Sequence, residues 1–375
     1  MLPRRGRPVV YVKIGAVGHF ACGGRTVGGR AYGLGVDPVE ALRRIAFLLE
    51  RALEATYRVR TFRSAAELVE RLPPGELARR ARQGTLTDLP GIGKVTATVI
   101  EEALRGEVPV YLRRLEATED TPLEEAAAAL RSALRGDLHT HSDWSDGGSP
   151  IREMAEAARE IGHEYIALTD HSPRLTVANG LSAQRLREQL EVVDRLNAEL
   201  APFRILTGIE VDILEDGTLD QEPELLDRLD VVVASVHSKL RMPRAEMTRR
   251  MVTAVMNPLV DVLGHCTGRI VRAGGRRGGL RPESEFDADL VFAACEAGDV
   301  AVEVNSRPER LDPPKRLLRL AVEAGCRVSI DSDAHAPGQL DWQPYGCERA
   351  ARCGVPADRV VNAMTADDLL AWTRS

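Results

Sequence analysis

No window of this 375-residue sequence approaches the ~18 uninterrupted apolar residues that a membrane-spanning helix requires. The basic start, Met1-Leu2-Pro3-Arg4-Arg5-Gly6-Arg7, runs into no apolar core of signal-peptide length, so the expected location is the cytoplasm. Paired thiols are missing too. Cys22, Cys266, Cys295, Cys326, Cys347 and Cys353 include no CxxC pair and form no small-domain disulfide framework, and they read as small buried apolar residues. Lysine is confined to positions 13, 94, 239 and 315, leaving arginine to supply the rest of the 50 basic residues, which reflects genome composition more than function. Gly33-Leu34-Gly35 lacks a preceding strand and a third glycine, so it is no nucleotide loop.

Charge is present but unevenly placed. Residues 1–117 carry 20 basic and 12 acidic side chains, an excess of +8, whereas the remainder holds 30 and 44, an excess of −14. A basic front suits a polyanion, and an acidic rear suits bound metal cations. With 44% apolar and 28% charged residues the chain is globular.

Residues 1–36 are rich in glycine and arginine without periodicity, and poor order is expected there. Asp37-Pro38 reads as an N-cap followed by proline at the first helical position, opening a helix over 39–55. Further helices are expected over 64–72 and 76–83, and another after Leu89-Pro90-Gly91-Ile92-Gly93-Lys94 up to 104, with Ile92, Val95, Val99 and Ala103 as its apolar face. An alanine-rich stretch over 122–134 reads as a helical linker within a 118–135 connection. From Gly136 the pattern turns to strands, at 136–138, 165–168, 205–209, 231–235, 260–263, 300–304 and 327–330, with helices between them, such as 182–200 and 288–296. Seven βα repeats demand a parallel sheet and point to a barrel.

Metal-type residues recur at the ends of those strands. His139 and His141 leave the first at i and i+2, hence on one face, and Asp146 follows on the next loop. His171, Glu210, His237, His265, Asp333 and His335 repeat the placement. In a barrel, all strand ends meet on one face. A single strand-end histidine is more often structural, but six of the eight histidines lie there alongside three carboxylates. His19 and His163 are left for surface or packing roles. Nitrogen and oxygen donors without a thiolate pair indicate zinc, manganese or iron.

The stretches Gly136-Asp137-Leu138-His139-Thr140-His141, Thr169-Asp170-His171-Ser172 and Gly208-Ile209-Glu210 resemble the PHP (polymerase and histidinol phosphatase) domain, as do Thr267-Gly268-Arg269 and Asp333-Ala334-His335. The likeness is to the C-terminal PHP domain of bacterial family X DNA polymerases. The resemblance implies a distorted (β/α)7 barrel over 136–375, a phosphoester hydrolase, and three divalent metal ions. One ion would sit on His139, His141, Glu210 and Asp333. A second would share Glu210 and add His237 and His265, and a third would use Asp146, His171 and His335. Two ions sharing a carboxylate would activate a bridging hydroxide, held by Glu210, His237, His265 and Asp333. Cys266 stands where the pattern has proline, and its side chain should point away from the ligand His265. Arg174, Lys239 and Arg269 follow ligand motifs and are the expected phosphate-docking cations. Asp170 is expected to orient a histidine.

The front segment over 37–117 resembles the helix-hairpin-helix domain of the same polymerases. Gly91, Ile92, Gly93 and Lys94 would present backbone N–H groups to DNA phosphates. The position of the family's lyase lysine is Val99, so no lyase is expected. Between 115 and 136 there is no room for a polymerase palm, so no polymerisation is expected. The sequence therefore reads as a metal-dependent phosphoesterase acting on DNA 3′ ends. The alternatives are a phosphatase of a small phosphomonoester such as histidinol phosphate, and a non-catalytic DNA-binding adaptor. Monomer is the default.

Overall fold

The computed structural model describes residues 36–117, 123–272 and 279–374; the glycine-rich start, His19 and Cys22 lie outside them. The chain divides into two compact units, with the boundary after Pro122.

The first unit is helical: α1 (Pro38–Arg51), α2 (Thr56–Arg71), α3 (Glu76–Gln83), α4 (Lys94–Leu104) and α5 (Val110–Glu116). Asp37 caps α1, its carboxylate accepting from the amides of Val39 and Glu40 at 2.7 and 3.1 Å, with Pro38 in the first turn. The second helix starts eight residues before the expected 64. Val59 and Phe62 are buried in register with Ala65, Ala66 and Val69, so the 3.6-residue repeat begins among residues whose arginines had masked it. In α4 the buried face is Thr96, Ala97, Val99, Ile100 and Ala103. Val95, expected on that face, is 53% exposed.

The second unit carries seven parallel strands in the order β1-β2-β3-β4-β5-β6-β7. They are β1 (Gly136–Thr140), β2 (Tyr165–Leu168), β3 (Arg204–Asp212), β4 (Val231–Ser235), β5 (Val262–Leu263), β6 (Ala301–Asn305) and β7 (Val328–Asp331). The barrel is nearly closed between β1 and β7. There the Asp331 carboxylate accepts the Leu138 amide at 2.9 Å, and that of Asp137 accepts the Ser332 amide at 3.2 Å. A bridge from Thr140 to Ala334 follows. Side-chain carboxylates thus stand in for a regular ladder at the seam.

Around the strands run α6 (Glu125–Ala133), α7 (Ile151–Glu160), α8 (Ala183–Leu200), α9 (Pro223–Leu226), α10 (Arg244–Val255), α11 (Ala288–Ala297), α12 (Lys315–Glu323), α13 (Gln343–Cys353) and α14 (Ala366–Thr373). The segment read as a linker is packed: Ala127, Ala128 and Leu130 of α6 are buried with Cys347 and Ala350 of α13. Its small residues let the two helices approach closely.

Alternation along the strands divides the barrel lengthwise. Tyr165 and Ala167, Leu206, Val231 and Val233, and Ala301 pack with Leu369 and Leu370 of α14 in one cluster. Further along the same parity come His171, Glu210 and Asp212, His237, and Glu303 with Asn305. One end of each strand seals the base, and the other end presents the polar groups.

Candidate metal centre

Glu210, on β3 and 1% exposed, lies at the middle of the polar end. Its Oε2 is 3.3 Å from His139 Nε2, 3.6 Å from His141 Nε2 and 2.8 Å from His171 Nδ1. Its Oε1 is 3.2 Å from His237 Nε2 and 2.8 Å from His265 Nε2. A second focus is Asp146, whose Oδ1 is 3.4 Å from His171 Nε2 and 3.3 Å from His335 Nε2. Asp333 Oδ1 lies 3.6 Å from His141 Nε2. All nine sequence-assigned donors therefore converge.

Among the described residues, three overlapping groups bring their donor atoms close enough to hold a cation: His141 with Asp146, His171 and His335; His139 with His141 and Glu210; and His171 with Glu210 and His237. His141 and His171 each belong to two groups, so the donors interlock rather than separate into independent sets.

The donor atoms fit a cation because many of them have no hydrogen-bond partner of good geometry. His139 Nε2, both nitrogens of His141, His171 Nδ1, His237 Nε2 and both oxygens of Glu210 are buried without a hydrogen-bond partner. Orphaned buried polar atoms are rare in a folded protein, and so many aimed at one space need positive charge there. Burial alone would push the Glu210 carboxyl up, but the imidazoles of His237, His139 and His171 hold it well below its usual range. Burial and the neighbouring His335 and His171 keep the His141 imidazole well below its own.

A surrounding layer aims the donors. Glu303 Oε1 lies 2.7 Å from His139 Nδ1, and Asp212 Oδ1 lies 2.5 Å from His237 Nδ1. The Asp333 carbonyl lies 3.0 Å from His335 Nδ1. A proton on Nδ1 of His139 and of His237 leaves their Nε2 bare toward the carboxylates, whereas His335 Nδ1 also lies 3.0 Å from Arg307 Nη1, which can only donate. Glu303 also accepts the His265 amide. Asp333 itself has φ +53°, a left-handed conformation typical of residues held for function.

Asp170 does not orient a histidine. It accepts from the Ser142 amide at 2.8 Å and the Ser142 hydroxyl at 2.6 Å, and also from Ser145 Oγ and, at 2.7 Å, Gln189 Nε2. It therefore pins the loop that carries Asp146. Gly147 completes that turn, where a Cβ would stand 2.6 Å from the Ser142 carbonyl carbon.

The expected docking cations fare differently. Arg269 is committed elsewhere: its Nε donates to the Arg310 carbonyl at 3.1 Å, one Nη to the Leu311 carbonyl, and the other to Glu283 at 3.4 Å. Arg174 and Lys239 are exposed. Among the described residues, the cations that touch the donors are Arg307 and Arg310, on the loop after β6. Arg307 Nη1 donates to the Asp333 carbonyl at 3.0 Å, and Arg310 Nε lies 3.2 Å from Asp333 Oδ2. Arg310 Nη1 is buried with no partner. Sequence reasoning passed over these two, although their strand-end position was the available signal. It also passed over Glu303, a lone acid in the apolar run of β6. Cys266 turns from the donors toward Asp312, at 3.9 Å. His163 is buried rather than on the surface.

In the helical unit, Gly91 has φ +87°, the left-handed turn that glycine permits. The Ile92 amide donates to Leu89 O at 3.1 Å and the Gly93 amide to Thr96 Oγ1 at 2.9 Å. Of the expected hairpin donors these two are occupied, and the outward amides begin at Lys94, in the first turn of α4. Val99 is buried in the unit's core, with no nucleophile in its place.

A parallel seven-stranded barrel with histidine and carboxylate donors gathered at its strand ends defines a metal-dependent hydrolase of phosphoesters. The PHP domain model matches residues 137–307, and a helix-hairpin-helix domain model matches 36–108. The chain is 42% identical over 241 residues to the DNA polymerase/3′-5′ exonuclease PolX of Bacillus subtilis. That match covers 64% of this chain but 41% of the relative's length. It is 31% identical over 209 residues to a probable phosphatase of Acetivibrio thermocellus, covering 53% of this chain and 78% of that one. A solved histidinol phosphate phosphatase of Lactococcus lactis, complexed with zinc, L-histidinol and phosphate, is similar at a TM-score of 0.44 and 19% identity. It covers 59% of this chain and 94% of that one. The chain belongs to the PHP family. Among the described residues no helix is long and apolar enough to cross a membrane.

Proposed function

We propose that the chain removes phosphate from DNA 3′ ends or hydrolyses phosphodiesters there, using three divalent ions of zinc, manganese or iron. His139, His141, Glu210 and Asp333 would hold one, Glu210, His237 and His265 a second, and Asp146, His171 and His335 a third. When bound, the metals supply an activated water and neutralise charge on the phosphoryl group. The chain's own groups set the stage. Glu303 and Asp212 hold two imidazoles in the tautomer that presents Nε2, and Arg307 braces the Asp333 carbonyl. Arg310, with an unpaired Nη1 beside Asp333, takes the phosphate-docking role first expected of Arg174, Lys239 and Arg269.

The observation that carries the DNA reading is the presence of the hairpin module and the donor cluster in one chain. Support comes from the similarity to a protein named as a polymerase and 3′-5′ exonuclease. Phosphate release from metal-reconstituted full-length protein tests it, with a 3′-phosphorylated recessed DNA against histidinol phosphate and His237→Ala as the blank. DNA should be preferred, and Gly91→Val combined with Lys94→Glu should erode that preference. Preference for histidinol phosphate, indifferent to the hairpin substitutions, would sink the reading. Unchanged phosphate release in a folded Asp333→Ala variant would return the chain to a binding adaptor.

A further inference from the structure

Beside the donor cluster the described residues form a second feature that the phosphoesterase reading does not use. Arg244, Arg269, Arg281 and Arg316 line a cleft of about 630 Å³, a volume within the range of small-ligand sites. Arg269 and Arg281 lie on the loop after β5, and Arg244 and Arg316 in the first turns of α10 and α12, which follow β4 and β6 at the same end of the barrel as the metal-type donors.

Three observations mark the cleft as built for an anion. First, its positive charge is only partly answered, although Arg244 pairs with Asp287 at 2.9 Å and Glu285 lines the cleft beside Glu283. Glu283 is shared, pairing with both Arg269 and Arg316. Arg281 donates its Nε to a carbonyl, that of Gly268, at 2.5 Å. Burial, and after it the nearby Arg310, push the Arg281 guanidinium down from its usual value against a smaller opposing pull from Asp312. Second, Ser284 lines the cleft and is 6% exposed, yet its hydroxyl has no hydrogen-bond partner. Third, the cleft is flanked by the N-terminal turns of α10 and α12, 12 and 9 residues long. Both start after a proline that supplies no side-chain cap. Uncapped first-turn amides and the positive end of the helix dipole favour an anion.

The cleft is also wired to the donor cluster. Arg269 donates to the Arg310 carbonyl, and the Arg310 side chain reaches Asp333. A chain with successive phosphates could therefore place one at Asp333 and the next among these arginines. We infer that the cleft is a subsite for the phosphodiester adjacent to the scissile one, which makes the barrel selective for a nucleic-acid strand over an isolated phosphate ester. The inference rests on the phosphoesterase reading and narrows its substrate class.

The test uses metal-loaded full-length protein and two probes. Fluorescence anisotropy with a hydrolysis-resistant six-nucleotide phosphorothioate strand reads binding, and p-nitrophenyl phosphate turnover reads the donor cluster alone. Arg281→Gln with Arg316→Gln should weaken strand binding roughly tenfold. It should also flatten the log–log salt slope by about 0.7, the value for one single-strand phosphate contact. Ser284→Ala should cost about fivefold. p-Nitrophenyl phosphate turnover should not change in either variant, and lysine at both arginine positions should restore most of the binding. The helical module is intact throughout, so differences report the cleft. Unaltered affinity and salt slope in the double glutamine variant would overturn the inference, and so would parallel loss of p-nitrophenyl phosphate turnover. Cleft-dependent binding together with a wild type that hydrolyses no nucleic acid would instead sink the 3′-end reading and leave a polynucleotide-binding cleft.

Discussion

The two units solve opposite problems with one chain. Among the described residues, the helical unit buries only Glu50 and Thr96 as polar side chains. Glu50 is answered by Arg63 at 2.7 Å, and the rest of its interior is aliphatic with one phenylalanine. The barrel instead gathers six histidines at one end, four of them buried and His237 and His335 part-buried, together with buried carboxylates, and many of these atoms have no hydrogen-bond partner. Unpaired buried polar groups cost about 1–3 kcal/mol each, and charged ones more. The helical unit is therefore complete as folded, whereas the barrel's polar end is complete only with cations in it.

The sharpest test of that contrast is Glu210→Gln. Each carboxylate oxygen faces imidazoles, Oε2 that of His139 and Oε1 that of His265, so the neutral amide removes the charge that two donor groups share. Metal content measured by atomic emission should fall, and phosphate release should drop beyond the roughly 10–100-fold typical of losing an outer hydrogen-bond partner. Glu303→Gln should stay within that 10–100-fold range, because it loosens His139 without removing a donor. Equal effects of the two substitutions would erase the distinction between holding a metal and aiming its ligand.

Chelation should separate the units by stability. Ligands that bind the native state alone stabilise it by mass action, so stripping metals should lower the barrel's stability by on the order of several kcal/mol, and its thermal transition with it. The helical transition should stay where it is. Calorimetry with and without chelator reads both, and a barrel insensitive to chelation would mean that protons already satisfy the cluster.

The reverse perturbation belongs to the helical unit. Ile100 is fully buried in its core, and Ile100→Ala should cost about 2–5 kcal/mol, visible as a lower urea midpoint for that unit. Turnover of a small phosphomonoester at 25 °C should be unaffected. A matching loss of turnover would show that the barrel's chemistry depends on the helical core.

The strand-end donors were legible because two regularities coincide. Alternation puts residues such as Val233, Ser235 and His237 on one face, and a parallel barrel collects every strand end on one side. What aims the donors was not legible. Glu303 meets His139 across 164 positions of sequence, and no local pattern pairs them. Arg269 was misleading because it follows a ligand in sequence, yet the loop carbonyls of Arg310 and Leu311 hold its guanidinium. Arg310 was hidden among many arginines, and only the path of the loop after β6 turns it to Asp333. Helix boundaries failed where polarity hid the periodicity, at the start of α2. The apolar face of α4 failed at Val95, where an exposed valine broke the repeat.

The smallest expected effect concerns His163, which is neither donor nor surface. Both of its ring nitrogens are buried without a partner, and burial, helped by Arg131, pushes its pKa down to about 3 from 6.5. Between those values the unfolded chain takes up a proton that the folded chain refuses. This contribution to stability is thus complete above about pH 6.5 and is lost as pH falls toward 3, at about 1.4 kcal/mol per pH unit. His163→Leu removes the titration while filling similar space. Urea midpoints of wild type and variant at pH 7, 6 and 5 should diverge as the pH falls, with the variant the more stable in acid. The donor-cluster histidines titrate in both proteins and cancel in the difference. Parallel curves would mean that His163 finds a partner or water in solution, and that the barrel's uncompensated polarity is confined to the end that holds its metals.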